Sequence, residues 1–370
     1  MLNPPLQQTR QPRGIVKING VAVTGWIDLE VTNNAFYQSD NFNVTFSISA
    51  LTPPYNLNWF SAQQVIAVEI FAGFPVDVEK FSDADLQSLI YGNVDDIHFN
   101  PTSQTIEISG RDLTSVLIDQ KTTQKYPNLT SSQIAKQIAL AHGLTAIVTA
   151  TKTKSGVYYQ IDHARLSDAR SEWDLLTWLA REEAFVVYIK GQTLHFEPKA
   201  DLTSDPYVLQ WTPPVDVIGY SSFNGKSLSF SRNLTIAKGV TVVIRSWNAK
   251  NKKAFTVSYP TNKAKGISPG QSSTASQVYE RTIAGLTPEK ALIQAQALQK
   301  EITAHEVSLS ATLPADNVLK TNSLIKVVGT NSLFDQLYYP DNIRRNLSIG
   351  GGYDMSISAK NHSPVNEVSL

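Results

Sequence analysis

Six histidines are the side chains in this sequence best suited to bind a metal ion or to transfer a proton near neutral pH. They are His98, His142, His163, His195, His305 and His362, and none of them stands at the spacing of a metal-binding pair. The chain has no cysteine, so it offers neither a thiolate ligand nor a disulfide. The sequence therefore predicts no bound metal and no metal cofactor.

Other patterns that could carry chemistry are weak. Asn224-Gly-Lys-Ser227 resembles the end of a phosphate-binding loop, but position 220, where the first glycine of such a loop belongs, is tyrosine. Two carboxylate pairs, Asp95-Asp96 and Glu182-Glu183, are adjacent in sequence and therefore point to different faces of a strand or helix. We expect no catalytic residue, no cofactor and no enzymatic activity.

Charge is divided between two parts of the chain, although Lys and Arg together equal Asp and Glu at 32 each. Residues 28–119 hold 13 acidic and two basic side chains, whereas residues 217–279 hold nine basic and no acidic ones. Surfaces of opposite charge set register between partners and exclude wrong ones. The candidate interface residues are Lys226, Arg232, Lys238, Arg245, Lys250, Lys252 and Lys253 on the basic side, and Asp77, Glu79, Asp83, Asp85, Asp95 and Asp96 on the acidic side.

Two other accounts of this charge pattern stay open. The acidic and basic parts could dock against each other within one chain. The basic part could bind a nucleic acid, although it lacks aromatic residues at the regular spacing that stacks bases. The zero net charge argues against binding to nucleic acid through bulk charge.

Length and composition indicate several folded domains. A chain of 370 residues is too long for a single core, and 42% hydrophobic residues are enough to build two or more. No run of about 18 apolar residues is present, so we expect no membrane span. Residues 1–14 are rich in Pro, Gln and Arg, which predicts an extended arm and no signal peptide.

Residues 1–113 predict a small antiparallel β domain with an N-terminal arm. Short apolar or alternating runs are separated by turn residues such as Asn19-Gly20 and Asn100-Pro101. The predicted strands are residues 15–18, 25–31, 43–48, 65–71, 89–94, 96–99 and 105–109. This pattern favours a barrel or a half-open sandwich.

Residues 114–200 predict an α/β domain. Thr130 with Gln133, and Ser171 with Asp174, have the spacing that begins a capped helix, and apolar residues then recur at helical intervals. A strand at residues 157–161 and a hairpin at residues 185–196 complete this domain. Helices and strands alternate here, in contrast to the segments on either side.

Residues 201–250 and 303–362 predict a second β-barrel-like domain, interrupted by an insertion at residues 251–302. The predicted strands are residues 215–221, 226–231, 240–247, 254–259, 307–311, 324–328, 337–344 and 354–359. Residues 248–286 predict a polar loop around one of these strands, and Thr287-Pro288 begins a helix. The fold class is α+β and mainly β: two antiparallel β-barrel-like domains, an intervening α/β domain and a further insertion.

Several short motifs resemble the late control protein D family, the baseplate hub proteins of contractile-tailed phages. In the N-terminal half they are Ile-Phe-Ala-Gly at residues 70–73, residues 89–96, and Ile-Glu-Ile-Ser-Gly-Arg-Asp-Leu-Thr at residues 106–114. In the C-terminal half they are residues 313–330, 339–344 and 352–357. The resemblance covers most of residues 15–360 and departs from the family at the polar segment 248–286.

The resemblance implies a homotrimer in which each subunit supplies two similar β domains. Three subunits would then form a pseudo-sixfold ring that joins the sixfold tail tube to the threefold central spike. The partners implied are a second and third copy of the chain, tail tube protein, spike protein and other baseplate proteins, with phage DNA only as passing cargo and no membrane. The location implied is the virion baseplate, assembled in the host cytoplasm, and no catalytic residue belongs to this family fold.

Three alternatives remain at this point. A tail-associated peptidoglycan hydrolase would need a clustered carboxylate pair, for which no motif stands out. A glycan-binding module is weakly suggested by the order of elements at residues 130–196. The hub part of a type VI secretion spike, or of a tailocin, would share the hub fold and differ only in its partners.

Overall fold

A computed structural model describes the protein over residues 11–35, 37–122, 124, 126, 128–152, 170–198, 205–216, 219–237, 239–248, 253–260, 277–283 and 286–361. The strands are β1 Arg13–Ile18, β2 Val21–Val23, β3 Trp26–Asn34, β4 Asn41–Ser47, β5 Ala67–Gly73, β6 Gln87–Asn100, β7 Thr105–Asp112, β8 Lys121–Thr122, β9 Thr145–Val148, β10 Arg170–Ser171, β11 Phe185–Lys190, β12 Thr193–Pro198, β13 Tyr207–Thr212, β14 Ser222–Phe223, β15 Ser227–Arg232, β16 Val240–Asn248, β17 Lys253–Tyr259, β18 Gln277–Thr282, β19 Val307–Pro314, β20 Ile325–Val328, β21 Leu337–Ser348 and β22 Gly352–Asn361. The helices are α1 Leu57–Ala62, α2 Thr114–Asp119, α3 Ser131–Ala141, α4 Glu172–Glu182, α5 Leu234–Ala237 and α6 Pro288–Thr303. The chain is therefore mainly β, as the sequence predicts.

Two groups of seven strands have the same order of neighbours. The first β region, β1 to β7, is hydrogen-bonded in the order β3-β4-β7-β6-β5-β1-β2. The second β region, β13 to β15 with β19 to β22, is hydrogen-bonded in the order β15-β19-β22-β21-β20-β13-β14. Numbered one to seven along the chain, both regions read three-four-seven-six-five-one-two. The one difference in direction is that β13 runs parallel to β20, whereas β1 runs antiparallel to β5.

The two β regions are joined into one sheet through β3 and β21, which are antiparallel neighbours. The strand path stays open among the described residues, so hydrogen bonds close neither β region into a complete barrel. The alternation of apolar and polar residues along each strand explains how the sheet packs. Apolar residues of both regions, such as Ile108 and Ile357, meet in one continuous hydrophobic core.

The opposite face of this sheet is mostly polar along its central strands. Its central strands present polar residues where the inner face presents apolar ones, as in the run Asn41, Asn43 and Thr45 of β4, and the edge strand β15 does the same with Ser227, Ser229 and Ser231. Residues at these alternate positions are exposed or half-buried, and in β15 all three serines are exposed. The face is thus solvated, while the core lies on the other side.

The α/β block, residues 113–198, has its own core. Strands β11, β12 and β9 form a small sheet in that order, and α3 and α4 cover one of its faces. Both predicted capping boxes are confirmed: the Thr130 hydroxyl accepts from the amide of Gln133 at 3.3 Å, and the Ser171 hydroxyl accepts from that of Asp174 at 3.0 Å. The strand predicted at residues 157–161 lies outside the described residues.

The insertion is larger than the sequence predicts. Strand β16, which was assigned to the second β domain, pairs instead with β17 and β18, and α6 packs on this three-stranded sheet. The physical reason is that Val240, Val242 and Ile244 bury one face against α6, so this strand cannot also belong to the large sheet. Strand β18 lies in a stretch that was predicted as loop.

Most other predicted elements are confirmed, with differences in extent. The turn at Asn19-Gly20 joins β1 to β2, and both residues have positive φ. Residues 89–94 and 96–99 are one long strand, β6, with an irregularity between Val94 and Asp96. A strand over 215–221 is not formed at the residues described there, and the sequence does not predict strand β13 at 207–212.

Candidate assembly interface

The junction between the two β regions is a seven-residue antiparallel pairing of β21 with β3. It runs from Asn342 opposite Asn34 to Ser348 opposite Asp28. On the polar face, Arg344 forms an ion pair with Glu30, and the amide of Asn346 donates to the carboxylate of Asp28 at 3.1 Å. Cross-strand pairs of this kind add to the backbone ladder and fix its register.

On the core face of the junction lies a buried cation, Arg345, which is 4% exposed. Its guanidinium donates to the backbone oxygens of Asp316 at 2.9 Å and Leu319 at 2.6 Å, and to the side chain of Asn33 at 3.1 Å. Burial lowers the pKa of this guanidinium, and nearby Tyr353 and Asp316 oppose that shift. A buried charge is tolerated only where such partners surround it, so the junction is specific to this arrangement.

Asp316 holds the other side of this network. Its carboxylate accepts from the hydroxyl of Tyr207 at 2.7 Å and from the amides of Val318 at 3.0 Å and Leu319 at 3.2 Å. Burial raises the pKa of Tyr207 well above its usual value, with Asp316 adding to the effect. The phenol therefore stays protonated and donates its hydrogen bond to the carboxylate oxygen of Asp316.

Two carboxylates, of the half-buried Asp40 and the buried Asp112, extend the network towards the α/β block. Asp40 accepts from Asn33 at 2.9 Å, and burial raises its pKa to about 6. Asp112 accepts from the hydroxyls of Ser39 at 2.7 Å and Thr114 at 3.1 Å, and burial, with the charge of Asp40, raises its pKa to about 7. These hydrogen bonds place both carboxylates inside the fold as structural groups at the start of α2.

Two strand edges of the large sheet, besides those of its short terminal strands β2 and β14, carry no neighbouring strand among the described residues. One is the outer edge of β6 after Val94. The amide of Val94 donates to the backbone oxygen of Ile66 at 3.0 Å, and the residues of β6 that follow Val94 pair only with β7. The other is the outer edge of β15, which pairs only with β19. Ile97 lies on the core side of the first edge and is 38% exposed, which is unusual for that side of the sheet.

The acidic candidates fall in two places. Asp77, Glu79, Asp83 and Asp85 lie in the loop of residues 74–86, where Asp83 pairs with Lys17 at 2.5 Å and the carboxylate of Asp85 accepts from the amide and the hydroxyl of Ser82 at 2.9 Å. Asp95 and Asp96 lie on β6 at its open edge, and Asp95 binds Arg111 at 2.6 Å. Asp77 accepts from the amide of Glu79 at 2.9 Å.

The basic candidates are only partly described, because Lys238, Lys250 and Lys252 lie outside the described residues. Lys226 pairs with Asp354 at 2.5 Å and Arg232 with Glu306 at 2.9 Å, and both flank the open strand β15. Arg245 pairs with Glu280, and Lys253 is exposed at the start of β17. Much of the charge is thus satisfied within the chain, and contact between oppositely charged regions of different subunits stays a prediction.

The described residues contain no cluster of three or more His, Asp or Glu that could hold a metal ion. His142 binds Glu172 between α3 and α4, and His195 stacks on Tyr188 with ring centres 4.6 Å apart. No described helix is long and apolar enough to cross a membrane.

One motif was overlooked in the sequence. Gly266-Ile-Ser-Pro-Gly270 has the spacing of the nucleophile elbow of serine hydrolases. It lies outside the described residues, and the elbow also requires a strand before the serine and a helix directly after it. Its spacing alone therefore carries no function.

The large two-region sheet with its α/β block and insertion is a fold seen in phage tail proteins. The chain matches a tail protein from Neisseria meningitidis MC58 with a TM-score of 0.68 and 14% identity, covering 95% of this chain and 97% of that one. It matches the 43 kDa tail protein of prophage MuSo2 from Shewanella oneidensis with a TM-score of 0.65 and 17% identity, covering 94% and 97%.

A third structure with this fold is the E. coli c3393 protein, a type VI secretion component that is itself similar to the T4 tail proteins gp27 and gp5. It matches with a TM-score of 0.53 and 11% identity, covering 94% of this chain and 77% of that one. No protein-family model and no curated protein sequence matches the chain. At these identities the likeness shows the fold.

Proposed function

We propose that this chain is a structural hub of a contractile phage tail: a homotrimer whose six β regions form a pseudo-sixfold ring between the tail tube and the central spike. The fold shared with phage tail proteins supports a structural role in a tail. The observation that carries the ring is internal to the chain, namely two β regions with one strand order and one filled junction between them.

The unpaired edges of β6 and β15 correspond to the two strands, β21 and β3, that pair at the junction between the β regions. Strand β21 is sixth in its region and β3 is third in the other, and they pair. By the same rule the sixth strand of the first region, β6, should pair with the third strand of the second, β15. Both have an open edge, and among the described residues of one chain they are not paired with each other. A second copy can therefore supply β15 to the β6 of the first, and repetition of this step makes a closed ring.

The register of this contact follows from the filled junction. The ladders align β6 with β21 and β15 with β3, and Arg345 lies opposite Val31 in the filled junction. The corresponding pair between subunits is Ile97 with Leu228 of the next copy. Both are apolar, and burial of the exposed part of Ile97 would continue the core across the interface.

Charge at the two edges agrees with this pairing. Asp95 and Asp96 lie on the open edge of β6, and Lys226 and Arg232 flank the open strand β15. Opposite charges would therefore approach each other when the edges meet, and like copies of one edge would repel. The contact joins unlike edges and so favours a ring over a twofold dimer.

Cysteine cross-linking tests the proposal. The variant Ile97→Cys with Leu228→Cys should form a disulfide between subunits and give covalent dimers and trimers on a non-reducing gel. The matched control, Ile97→Cys with Ser229→Cys, places the two thiols on opposite faces of the sheet and should not cross-link. Native mass should be three times the 40.8 kDa chain mass; a monomer at all concentrations, with or without spike protein, would contradict the proposal.

The hub of a type VI secretion spike is the second candidate, supported by the fold likeness to the c3393 protein. It predicts the same trimer and differs in the tube that it caps. A capture experiment with purified tail-tube protein, and separately with type VI tube protein, distinguishes the two. The hub of a tailocin would behave as the phage protein does.

A further inference from the structure

A cleft lies where the first β region meets the α/β block. The connection from β3 to β4 lines it on the side of the β region, and Lys121 of β8 and Asp174 in the first turn of α4 line it on the side of the block. Strands β8 and β10 pair with Lys121 opposite Ser171, the residue that caps α4, so both charged residues reach the same cleft. The cavity volume is about 630 Å³, within the range of about 300–1,000 Å³ that is typical of small-molecule sites. The cleft is therefore large enough to hold a small organic ligand.

Hydrogen bonds fix the frame of the cleft. The indole of Trp173 donates to the backbone oxygen of Tyr37 at 3.2 Å, and the hydroxyl of Tyr37 donates to the backbone oxygen of Phe185 at 2.6 Å. Within the connection from β3 to β4, the side-chain amide of Asn34 donates to the backbone oxygen of Ser39 at 2.7 Å. The connection is thereby bonded both to itself and to the α/β block, so a ligand would enter a cleft that is already formed.

Several polar side chains that line the cleft are free to bind a ligand. The amides of Gln38 and Asn41 and the ammonium of Lys121 are exposed, and they make no hydrogen bond or ion pair with another described residue. In Asp174 one carboxylate oxygen accepts from the amide of Ser171 at 3.4 Å, and the other oxygen has no partner in the described part of the chain. Donors and acceptors of four side chains therefore converge on one cavity and remain available to a ligand.

The chemistry of the cleft favours a neutral ligand that is rich in hydroxyl groups. Lys121 and Asp174 carry opposite charges, so the lining has no net charge that would attract a phosphate group or a cation. Each side-chain amide offers both donors and an acceptor, which suits a sugar hydroxyl because that group also donates and accepts. The half-buried Ile118 and Tyr37 add apolar area against which the C–H face of a sugar ring can pack.

We propose that this cleft binds a short neutral oligosaccharide, whose hydroxyl groups are hydrogen-bonded by Gln38, Asn41, Lys121 and Asp174. The proposal goes beyond the structural role in a tail and does not depend on the trimer. Two sources of such a ligand share this chemistry: the N-acetylated sugars of a bacterial cell wall and the unmodified hexoses of a surface polysaccharide. One probe for each source is therefore included in the test.

Calorimetric titration of the full-length protein with chitotriose, and separately with maltotriose, tests the proposal. At least one trisaccharide should bind with a Kd of about 1 mM or below. Gln38→Ala combined with Asn41→Ala should weaken that binding at least about tenfold, because two groups that hydrogen-bond the ligand are removed. The matched control, Asn58→Ala with Gln296→Ala, removes two exposed amides outside the cleft and should bind as the wild type does. Both double variants should keep the wild-type melting temperature, since all four side chains are exposed.

A second variant, Lys121→Ala, leaves the connection from β3 to β4 unchanged and should also weaken binding. Saturable binding of neither trisaccharide would overturn the proposal, and so would binding that the cleft variants leave unchanged. Binding of the zwitterionic dipeptide glycyl-leucine in place of both sugars would overturn it as well, because Lys121 and Asp174 would then hold a peptide. Native mass separates this proposal from the hub: a trimer that binds no saccharide keeps the hub, and a monomer that binds one in the cleft keeps the saccharide site.

Discussion

The guanidinium of Arg345 donates a hydrogen bond to the side chain of Asn33 across 3.1 Å, between residues that are 312 positions apart in the chain. Asn33 in turn donates to Asp40 at 2.9 Å and to the backbone oxygen of Leu89 at 3.1 Å. Through Asn33, the buried arginine of the second β region is thereby linked by hydrogen bonds to Asp40 and to strand β6 of the first region. The register of the junction therefore depends on hydrogen bonds between buried and half-buried polar groups.

Removal of that arginine should be costly. We expect Arg345→Met to lower the free energy of unfolding by about 3–5 kcal/mol. The backbone oxygens of Asp316 and Leu319 would lose their hydrogen-bond donor, and the Asp316 carboxylate would lose the positive charge near it. Urea unfolding followed by tryptophan fluorescence measures the change. The neighbouring Arg344→Met removes only an exposed ion pair with Glu30 and should cost less than about 1 kcal/mol. Equal losses for the two variants would show that Arg345 is not the key to the junction.

Stability should rise as the pH falls from 8 to 5. In the folded chain the pKa of Asp112 is raised to about 7 from 3.8, so its stabilising contribution is complete below the unfolded value and is lost as pH rises through about 7. Over this interval the group should add about 2–3 kcal/mol on acidification. Thermal or urea unfolding at several pH values measures it.

The control for this pH dependence is Asp112→Asn, which cannot titrate and should flatten the profile by that amount. Asp96→Asn, at an exposed position on β6, should keep the wild-type profile. A wild-type profile that is already flat, or one that falls towards pH 5 in parallel with the Asp112→Asn variant, would show that Asp112 is ionised in the fold at both pH values.

A methyl group at Gly110 should disrupt the sheet. A Cβ there would lie 2.0 Å from the backbone oxygen of Asn93 and 2.7 Å from the ring of Phe42. Because neither the β6 backbone nor the buried ring can withdraw easily, we expect Gly110→Ala to cost more than about 2 kcal/mol. Gly350→Ala is the matched control, since nothing lies within 4 Å of a Cβ at that position. Similar melting temperatures for both variants would contradict this.

The cap of α4 should contribute a smaller, measurable amount. Ser171→Ala removes the hydroxyl that accepts from the amide of Asp174, and we expect a loss of about 1 kcal/mol. Thr177→Ala in the same helix removes a hydroxyl that only donates to an exposed carbonyl, and should change stability by less than about 0.5 kcal/mol. Denaturant midpoints of the α/β block, read from its tryptophans, compare the two.

Local signals in the sequence predicted many of the elements. Thr130 with Gln133 and Thr287 with Pro288 mark helix starts, and both helices are present because side chain and backbone satisfy each other within four residues. Asn19-Gly20 is a turn because both residues accept positive φ. These features depend on neighbours in sequence, which is why a single sequence is enough to find them.

The assembly surface could not be predicted in this way. Nothing near Ile97 in sequence shows that its strand edge is open, or that Arg345 lies in the matching position of the other region. Strand β16 was assigned to the wrong sheet because an apolar run such as 240–244 fits either sheet equally well. Which sheet it joins is decided by α6, more than 40 residues further along the chain.

The position of strand β3 between the two β regions limits where this chain can be cut into separately expressed fragments. The strand is bonded to β4 on one side and to β21 on the other, so the boundary between the two β regions is itself a hydrogen-bonded ladder. A fragment ending at residue 113 would leave one edge of β3 bare from Asp28 to Asn34, with its amide and carbonyl groups ready to join other chains. Expressed alone, either half should aggregate, and soluble pieces are better obtained by trimming the α/β block or the inserted sheet, which have cores of their own.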